Sequence, residues 1–423
     1  MKKNIRIPKG VKVFLPEEAK KKRYLENKIR NIFELWGYEE VITPTFEFFE
    51  SLTIGAGDLI KNNMYKILDR SGQILALRSD MTTPVARLIA SMPKSFDIPI
   101  RVYYLSNIFR YEELQTGKSR EFYQAGVELI GYSYPKADAE VISLLSSLLE
   151  GVGIKDFKID LGQVNLYKSI IKDANISEVV ERNLRSAIHK KNLGEVESLL
   201  LNIKLKDKEK EAIVKLTNSY SKDDSILNSK ELVINKEGEA ALENLGSVYD
   251  ILKSYGLKNK IIIDLGILRS IDYYTGLVFE AFVPNVGYSI CGGGRYDNLI
   301  AQFGTDLPAT GFAVGIERLF LALSSEDIFK EIKTRKKYLI ICCREDSFFL
   351  KIAYDLANNL RKKEVWVEIA LEAKNEEDIL NYVRKKNIEK TIFIGLSEEE
   401  VKIVDYFTKK EEILNIIDIL AEE

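Results

Sequence analysis

Residues 101–131 read RVYYLSNIFRYEE, LQTGKS, REFYQAGVELIG: two runs rich in aromatic and β-branched residues, joined by a short polar stretch around Gly117. Such a pair predicts a β-hairpin. Period-two alternation places Arg110 and Glu112 on one face of the first strand. On the second it places Gln124, Gly126 and Glu128 together, with Val127 and Leu129 opposite. Two polar side chains flanking a glycine suit a ligand face, because Gly126 removes bulk where something could approach. A solvated sheet face produces the same pattern.

Working outward, residues 15–38 (LPEEAKKKRYLENKIRNIFELWGY) predict a helix. Pro16 fits its first turn, Glu17 and Glu18 complement the dipole, Leu25, Ile29, Ile32, Phe33 and Trp36 form the apolar stripe, and Gly37 ends it. EEVITPTFEFF (39–49) reads as a strand broken by Pro44. LRSDMTTPVARL (77–88) sets Asp80 between Arg78 and two threonines. A helix starts just after it, with Val85, Leu88 and Ile89 as its buried face. Residues 165 to about 256 change character: EVVERNLRSAIHKKNL (178–193) and KLKDKEKEAIVKL (204–216) are Lys/Glu-rich amphipathic helices, read as a helical insertion into a sheet domain. Strand character returns in IIIDLGILRSIDYYTGLVFEAF (261–282). SICGGGRYDNL (289–299) reads as a glycine-rich turn, and TGFAVGIERLFLAL (310–323) passes from strand to helix. Residues 325–337 form a charged linker. Beyond it strand and helix alternate and close on a last helix, a small α/β domain at 338–423.

Composition narrows the function. The 62 Lys and Arg against 64 Asp and Glu leave a formal charge of −2, without the basic excess of a general nucleic-acid binder. Three cysteines, two of them adjacent (Cys342 and Cys343), make neither a disulfide framework nor a zinc spacing. The one histidine, His189, lies among charged residues and reads as solvated helix surface. A histidine-dependent nucleophile and a histidine-based metal site are therefore excluded. The start lacks an apolar signal core and no run approaches a membrane span, so a cytoplasmic protein with no membrane contact is expected.

Taken singly, Arg110, Glu112, Arg269, Tyr273, Tyr274, Arg318 and Gly292–Gly294 each have an ordinary explanation as sheet-edge, turn or helix-surface residues. In order along one chain they resemble class II aminoacyl-tRNA synthetases. The segment containing VITPTFE resembles motif 1, FRYEELQTGKSREFYQAGVE motif 2, and GFAVGIERL motif 3. RSIDYYTG and GGGRYDNL resemble the two histidyl signatures. The resemblance spans residues 1 to about 323. Two families share this branch: the histidyl-tRNA synthetases, and the regulatory subunits that partner the short catalytic subunit of ATP phosphoribosyltransferase in the first step of histidine biosynthesis.

LRSDMT resembles the regulatory family, in which Asp stands where a synthetase carries Glu, although Ser79 replaces its usual Pro. GVKVFLPEEA and KIDLGQV are also similar to that family, with Val13 and Gln163 departing from it. From Arg335 onward 16 Lys/Arg face 19 Asp/Glu, a net of −3, so tRNA is not the expected partner.

The resemblance implies an α+β fold: a class II synthetase-like antiparallel sheet with flanking helices over 1–324, the helical insertion at about 165–256, and a C-terminal α/β, anticodon-binding-like domain. It implies an L-histidine site formed by Asp80, Met81 and Thr82 around the amino group, Arg110 and Gln124 at the backbone end, Glu128 facing the imidazole, Arg269 near the carboxylate, and Tyr273 and Tyr274 along the ring. Glu112 and Arg318 are vestigial ATP-site positions. No catalytic residue, cofactor or metal is expected. The implied partners are the short-form catalytic subunit, in a hetero-oligomer, and a second copy through motif 1. A true histidyl-tRNA synthetase and a free-standing amino-acid-binding module are the alternatives.

Overall fold

The computed structural model describes residues 6–416 apart from 113–118, 175, 223, 269–272, 285, 324–326, 331, 333–334, 345 and 373–374. The chain forms two compact units, Met1–Phe329 and Lys330–Glu423.

The first unit opens with α1 (Pro16–Leu35), whose Leu25, Ile29 and Phe33 are wholly buried. Gly37, at φ +79°, ends it in a conformation that favours glycine. The strands that follow are β1 (Glu39–Glu40), β2 (Phe46–Phe48), β3 (Lys66–Leu68), β4 (Ile74–Leu77), β5 (Ile100–Phe109), β6 (Glu121–Ile130), β7 (Lys158–Gln163), β8 (Tyr220–Ser221), β9 (Ile261–Asp264), β10 (Leu277–Phe282), β11 (Cys291–Arg295) and β12 (Ala309–Gly315). Between them run α2 (Phe49–Thr53), α3 (Asp58–Asn62), α4 (Thr82–Ser91), α5 (Pro135–Gly151), and then α6 (Val164–Ile171), α7 (Glu178–His189), α8 (Leu193–Leu201), α9 (Asp207–Thr217) and α10 (Lys236–Ser254). After β12 come α11 (Ile316–Ala322) and the single turn α12 (Asp327–Lys330).

Nine strands form one sheet in the order β1-β5-β6-β12-β11-β10-β7-β9-β8, while β2, β4 and β3 make a small separate sheet. The six strands from β5 to β7 pair antiparallel throughout, as expected for this fold class; β1 and β9 attach in parallel at either side. The hairpin of β5 and β6 begins where the alternation places it. Both faces of the sheet are covered. Phe33, Tyr103, Val127, Phe279 and Phe312 pack on one side. Met81, Val102, Tyr104, Val278 and Tyr296 pack on the other.

Register explains the glycines. One row across this second face runs Val102, Glu128, Gly311, Gly294, Val278, Gly162; the next runs Tyr104, Gly126, Ala313, Gly292, Glu280, Asp160. SICGGGRYDNL is therefore not a turn. Its glycines occupy β11 at the centre of the sheet, where a side chain on Gly293 would come within 2.4 Å of the Gly311 carbonyl oxygen. Glycine-rich sequence reads as a turn locally, and only the neighbouring strands reveal that bulk is what must be missing.

Helices α6–α10 lie in the chain between β7 and β9, with side-chain caps from Ser177, Asn192 and Asn235 on the N–H groups of Val180, Glu195 and Gly238. His189, read as solvated, is half-buried at the end of α7.

The second unit contains β13 (Lys337–Cys342), α13 (Ser347–Lys362), β14 (Trp366–Ile369), α14 (Glu376–Lys386), β15 (Lys390–Ile394), β16 (Glu400–Asp405) and β17 (Lys410–Asn415). The sheet order is β14-β13-β15-β16-β17, parallel over the first three strands and antiparallel over the last two. After TIFIGL the chain forms a hairpin through Asn415 that the sequence reading did not include, and the last helix it expects falls beyond it, outside the described residues. Asp405 Oδ1 accepts from the N–H groups of Phe407 and Thr408, and Lys409 adopts φ +55°, which turns the chain back. Residues 417–423 lie outside the described ones.

Candidate functional site

A cavity of about 610 Å³ opens on the glycine-rich face of the large sheet. Its volume is typical of sites for small molecules. Gly292, Gly294, Gly311 and Gly315 supply part of its wall, so backbone rather than side chain forms the floor.

Glu128 stands at one end, with no exposed surface. Its Oε2 accepts from the Tyr296 hydroxyl at 2.5 Å and its Oε1 from the Thr82 hydroxyl at 2.9 Å, with Tyr104 at 3.5 Å. The carboxylate lies over Gly311, where a Cβ would come within 1.8 Å of Oε2. Burial pushes the Glu128 carboxyl up to about 8; the Tyr296 and Thr82 hydroxyls oppose this and nearby Asp80 adds to it. At neutral pH the group keeps its proton, and can either donate to or accept from a ring nitrogen.

Asp80 sits just before α4 and is 7% exposed. Its Oδ1 accepts from the Thr83 N–H at 2.9 Å, which ties the carboxylate to the start of the helix. Burial raises its pKa, while the Thr83 N–H and the Arg110 charge pull it down. Arg78, its neighbour in sequence, does not serve it. The Arg78 guanidinium donates to the carbonyls of Thr43 and Asn107 and to the Asn107 side chain, at 2.8–2.9 Å. Arg110 lies just past the end of β5, as does Glu112, rather than on the strand as the alternation predicts, and it donates to the Ser79 carbonyl at 2.7 Å.

Gln124, Glu112 and Arg318 line the same cavity. Gln124 Oε1 is buried without a hydrogen-bond partner among the described residues. Arg110 and Glu112 lie 3.9 Å apart, and Arg110 is 5.6 Å from the Phe122 ring centre. Arg318 donates to the Ser289 carbonyl at 2.7 Å and lies 5.2 Å from the Tyr288 ring. Tyr273 and Tyr274 close the side, their ring centres 5.0 Å apart.

The structure thus brings together Asp80, Thr82, Arg110, Glu112, Gln124, Glu128, Tyr273, Tyr274 and Arg318. Met81 is not on the wall: it is wholly buried in the apolar cluster with Val85 and Ile89. Nor is Gly126 an open approach, because the Tyr104 hydroxyl fills the space that its missing side chain leaves. Arg269 lies outside the described residues. Tyr296, Gly311 and Glu317 were missed. Tyr296 stands two residues after Gly294 in GGGRYDNL, and this alternation was hidden by the turn reading. Glu317, which accepts from the Tyr123 N–H at 3.0 Å, precedes Arg318. Arg295 of the same signature is structural, donating at 3.0 Å to both Asp138 and Asp297. Among the described residues no group of His, Cys, Asp and Glu could hold a metal ion, and no helix is long and apolar enough to cross a membrane.

A zwitterionic amino acid suits such a site. Asp80 can take its ammonium, Arg110 and Gln124 its carboxylate end, and Glu128 a ring N–H.

A sequence profile described as histidyl-tRNA synthetase matches residues 10–319. The chain is 39% identical to the ATP phosphoribosyltransferase regulatory subunit of Clostridium novyi, covering 98% of both chains. It is also 36% identical to the histidine–tRNA ligase of Methanocaldococcus jannaschii, over 97% of this chain and 98% of the other. A crystal structure described as an ATP phosphoribosyltransferase regulatory subunit/histidyl-tRNA synthetase, from Bacillus halodurans, superimposes with a TM-score of 0.78 at 29% identity, covering 92% of this chain and 98% of that one.

Proposed function

The chain belongs to the histidyl-tRNA synthetase family, in its branch of ATP phosphoribosyltransferase regulatory subunits, and we propose that it is a non-catalytic subunit that binds free L-histidine and imposes feedback on a short-form catalytic partner. The partner carries out the first step of histidine biosynthesis, in the cytoplasm. Histidine inhibits by binding the inhibited assembly more tightly than the active one, with a coupling of ~1–3 kcal/mol typical of such systems.

The observation that carries this reading is Asp80. It is one methylene shorter than Glu, and its Oδ1 is already held by the Thr83 N–H. A carboxylate pinned to the helix start can hold an ammonium, but draws the amino acid deeper than in-line attack on a nucleotide requires. Specificity for histidine comes from Glu128, Thr82 and Tyr296, whose buried polar atoms would lose a partner if the ligand lacked ring nitrogens.

A histidine-activating synthetase is the second reading. It is favoured by Arg110, Glu112 and Arg318, which line the same cavity as the amino-acid set. One experiment separates the two. Histidine binding is measured by calorimetry and histidine-dependent ATP–pyrophosphate exchange is assayed on the same preparation. Binding without exchange supports the regulatory role; exchange at enzymatic rates overturns it.

For assembly, the small β2-β4-β3 sheet supports a second copy of the chain as partner. Register puts Phe48, Leu75 and Ile67 in one row and Phe46 with Leu77 beside it. Phe46 and Phe48 are more than half exposed, and Ile42, just before them, is 82% exposed. An apolar surface of this kind marks an interaction site.

A further inference from the structure

Helix α4 serves both ends of the proposed ligand. Just before it, Asp80 accepts from the Thr83 N–H, and in its first turn Thr82 donates to Glu128. Where the helix sits along its axis therefore sets the ammonium end and the ring end together. Val85, Ala86 and Ile89 bury one of its faces, but apolar contact is non-directional, whereas a two-pronged, charge-assisted bond fixes geometry.

Among the described residues, side chains of α4 hydrogen-bond to other elements at two places: Thr82 meets Glu128, and Arg87 meets Glu47. Arg87 Nη2 donates to Glu47 Oε1 at 3.0 Å and its Nε donates to Oε2, so the guanidinium grips both oxygens of one carboxylate. Arg87 lies four residues beyond Thr83 and so shares its helix face. Neither Arg87 nor Glu47 lines the cavity.

Glu47 is a fixed partner. It sits in the middle of β2, between the exposed Phe46 and Phe48, and its own side chain is only 7% exposed. Strand alternation turns it away from the exposed face. The chain before β2 is tied to β5, because Arg78 donates to the Thr43 carbonyl and to the Asn107 carbonyl and side chain. Arg78 thus fastens β2 to the large sheet, and Arg87 fastens α4 to β2.

We propose that Arg87, through Glu47, is a positioning residue for the ligand site: it sets α4 along its axis and so places Asp80 and Thr82 against the amino acid. This role rests on histidine being the ligand, as proposed above. It needs no second copy of the chain, because Glu47 faces away from the exposed side of β2.

Calorimetry with L-histidine, and hydrogen exchange on the free full chain, test the role. Arg87→Met and Glu47→Gln should each weaken histidine binding ~3–30-fold, the range for side chains that act on a site through a neighbouring element. The double variant should lose no more than the weaker-binding single one, since both changes break the same pair. Arg87→Lys keeps the charge without the two-pronged grip, and should recover only part of the affinity. In the free chain, exchange should rise at the Thr83 and Val85 amides, which donate to Asp80 and to the Met81 carbonyl, and stay unchanged along β5 and β6.

Wild-type affinity in Arg87→Met, losses that add in the double variant, or a rise in exchange along β5 and β6 as well overturns the proposal. If wild type binds no histidine, the ligand reading fails and exchange decides alone: unchanged Thr83 and Val85 amides overturn the positioning role, and a rise confined to them supports it. The near-isosteric Glu47→Gln keeps the test decisive if Arg87→Met fails to fold.

Discussion

The Tyr296 hydroxyl donates to Glu128 at 2.5 Å although 168 positions separate the two residues. That bond joins β6 of the central hairpin to the first residue past β11, and it spans Gly311 of the strand between them. Holding a carboxyl wholly buried in this way has consequences for stability and for recognition.

The first concerns pH. Unfolded Glu and Asp titrate near about 4.3 and about 3.9. In the folded chain Glu128 sits at about 8 and Asp160 at about 7. Between these values the folded state holds protons that the unfolded state has released, so stability falls as pH rises. The urea midpoint should therefore be lower at about pH 8 than at about pH 5, and Glu128→Gln should flatten the slope. Equal midpoints in wild type would contradict the buried, protonated Glu128.

Asp80 provides the second test. Asp80→Asn should weaken histidine binding ~10–100-fold, the range for losing a hydrogen bond to a charged group. Asp80→Glu should instead keep binding and raise histidine-dependent pyrophosphate exchange above wild type, because the longer carboxylate brings the amino acid forward. Calorimetry and exchange on the same protein check both. No loss of affinity in Asp80→Asn would remove this residue from the site.

Gly311 is expected to tolerate no side chain. A Cβ there would meet Glu128 Oε2 at 1.8 Å and the Val127 carbonyl oxygen at 2.4 Å. Gly311→Ala should cost ~3 kcal/mol or more. Gly287→Ala has nothing within 4 Å, and should stay within about 0.5 kcal/mol. Urea denaturation of the two variants makes the comparison, and similar midpoints would refute the close packing.

Phe48→Glu probes assembly. Phe48 is 51% exposed on the β2-β4-β3 face. A charge there should shift the sedimentation coefficient from dimer to monomer while leaving histidine binding intact. A variant that remains a dimer would place the interface elsewhere.

Much of this protein was legible from residue order. The hairpin of β5 and β6, the helix over 16–35 and the helix start after Asp80 all follow from local rules: alternation, a proline in the first turn, a glycine at the end. Most of the proposed ligand residues were nameable because they sit within recognisable motifs. The failures share one cause. Gly292–Gly294 read as a turn, Gly126 as an open approach, and Met81 as a ligand contact. In each case the side chains that decide the matter come from other elements: Phe279 for Gly293, Tyr104 for Gly126, and Ile100 and Val102 in the apolar cluster that takes in Met81. The hairpin of β16 and β17 was missed for a different reason: short apolar runs have no strong period, and only pairing with β15 and with each other shows these to be strands.

Residue order settled which segments are helix or strand along most of the chain, and which chemical groups were on hand, because periodicity and turn chemistry act over a few residues. Whether a given carboxylate is charged was left to the packed sheet. Glu128 and Asp160 are plain acids in the sequence, and they hold protons near neutrality only because distant strands remove water from around them and set other acids beside them.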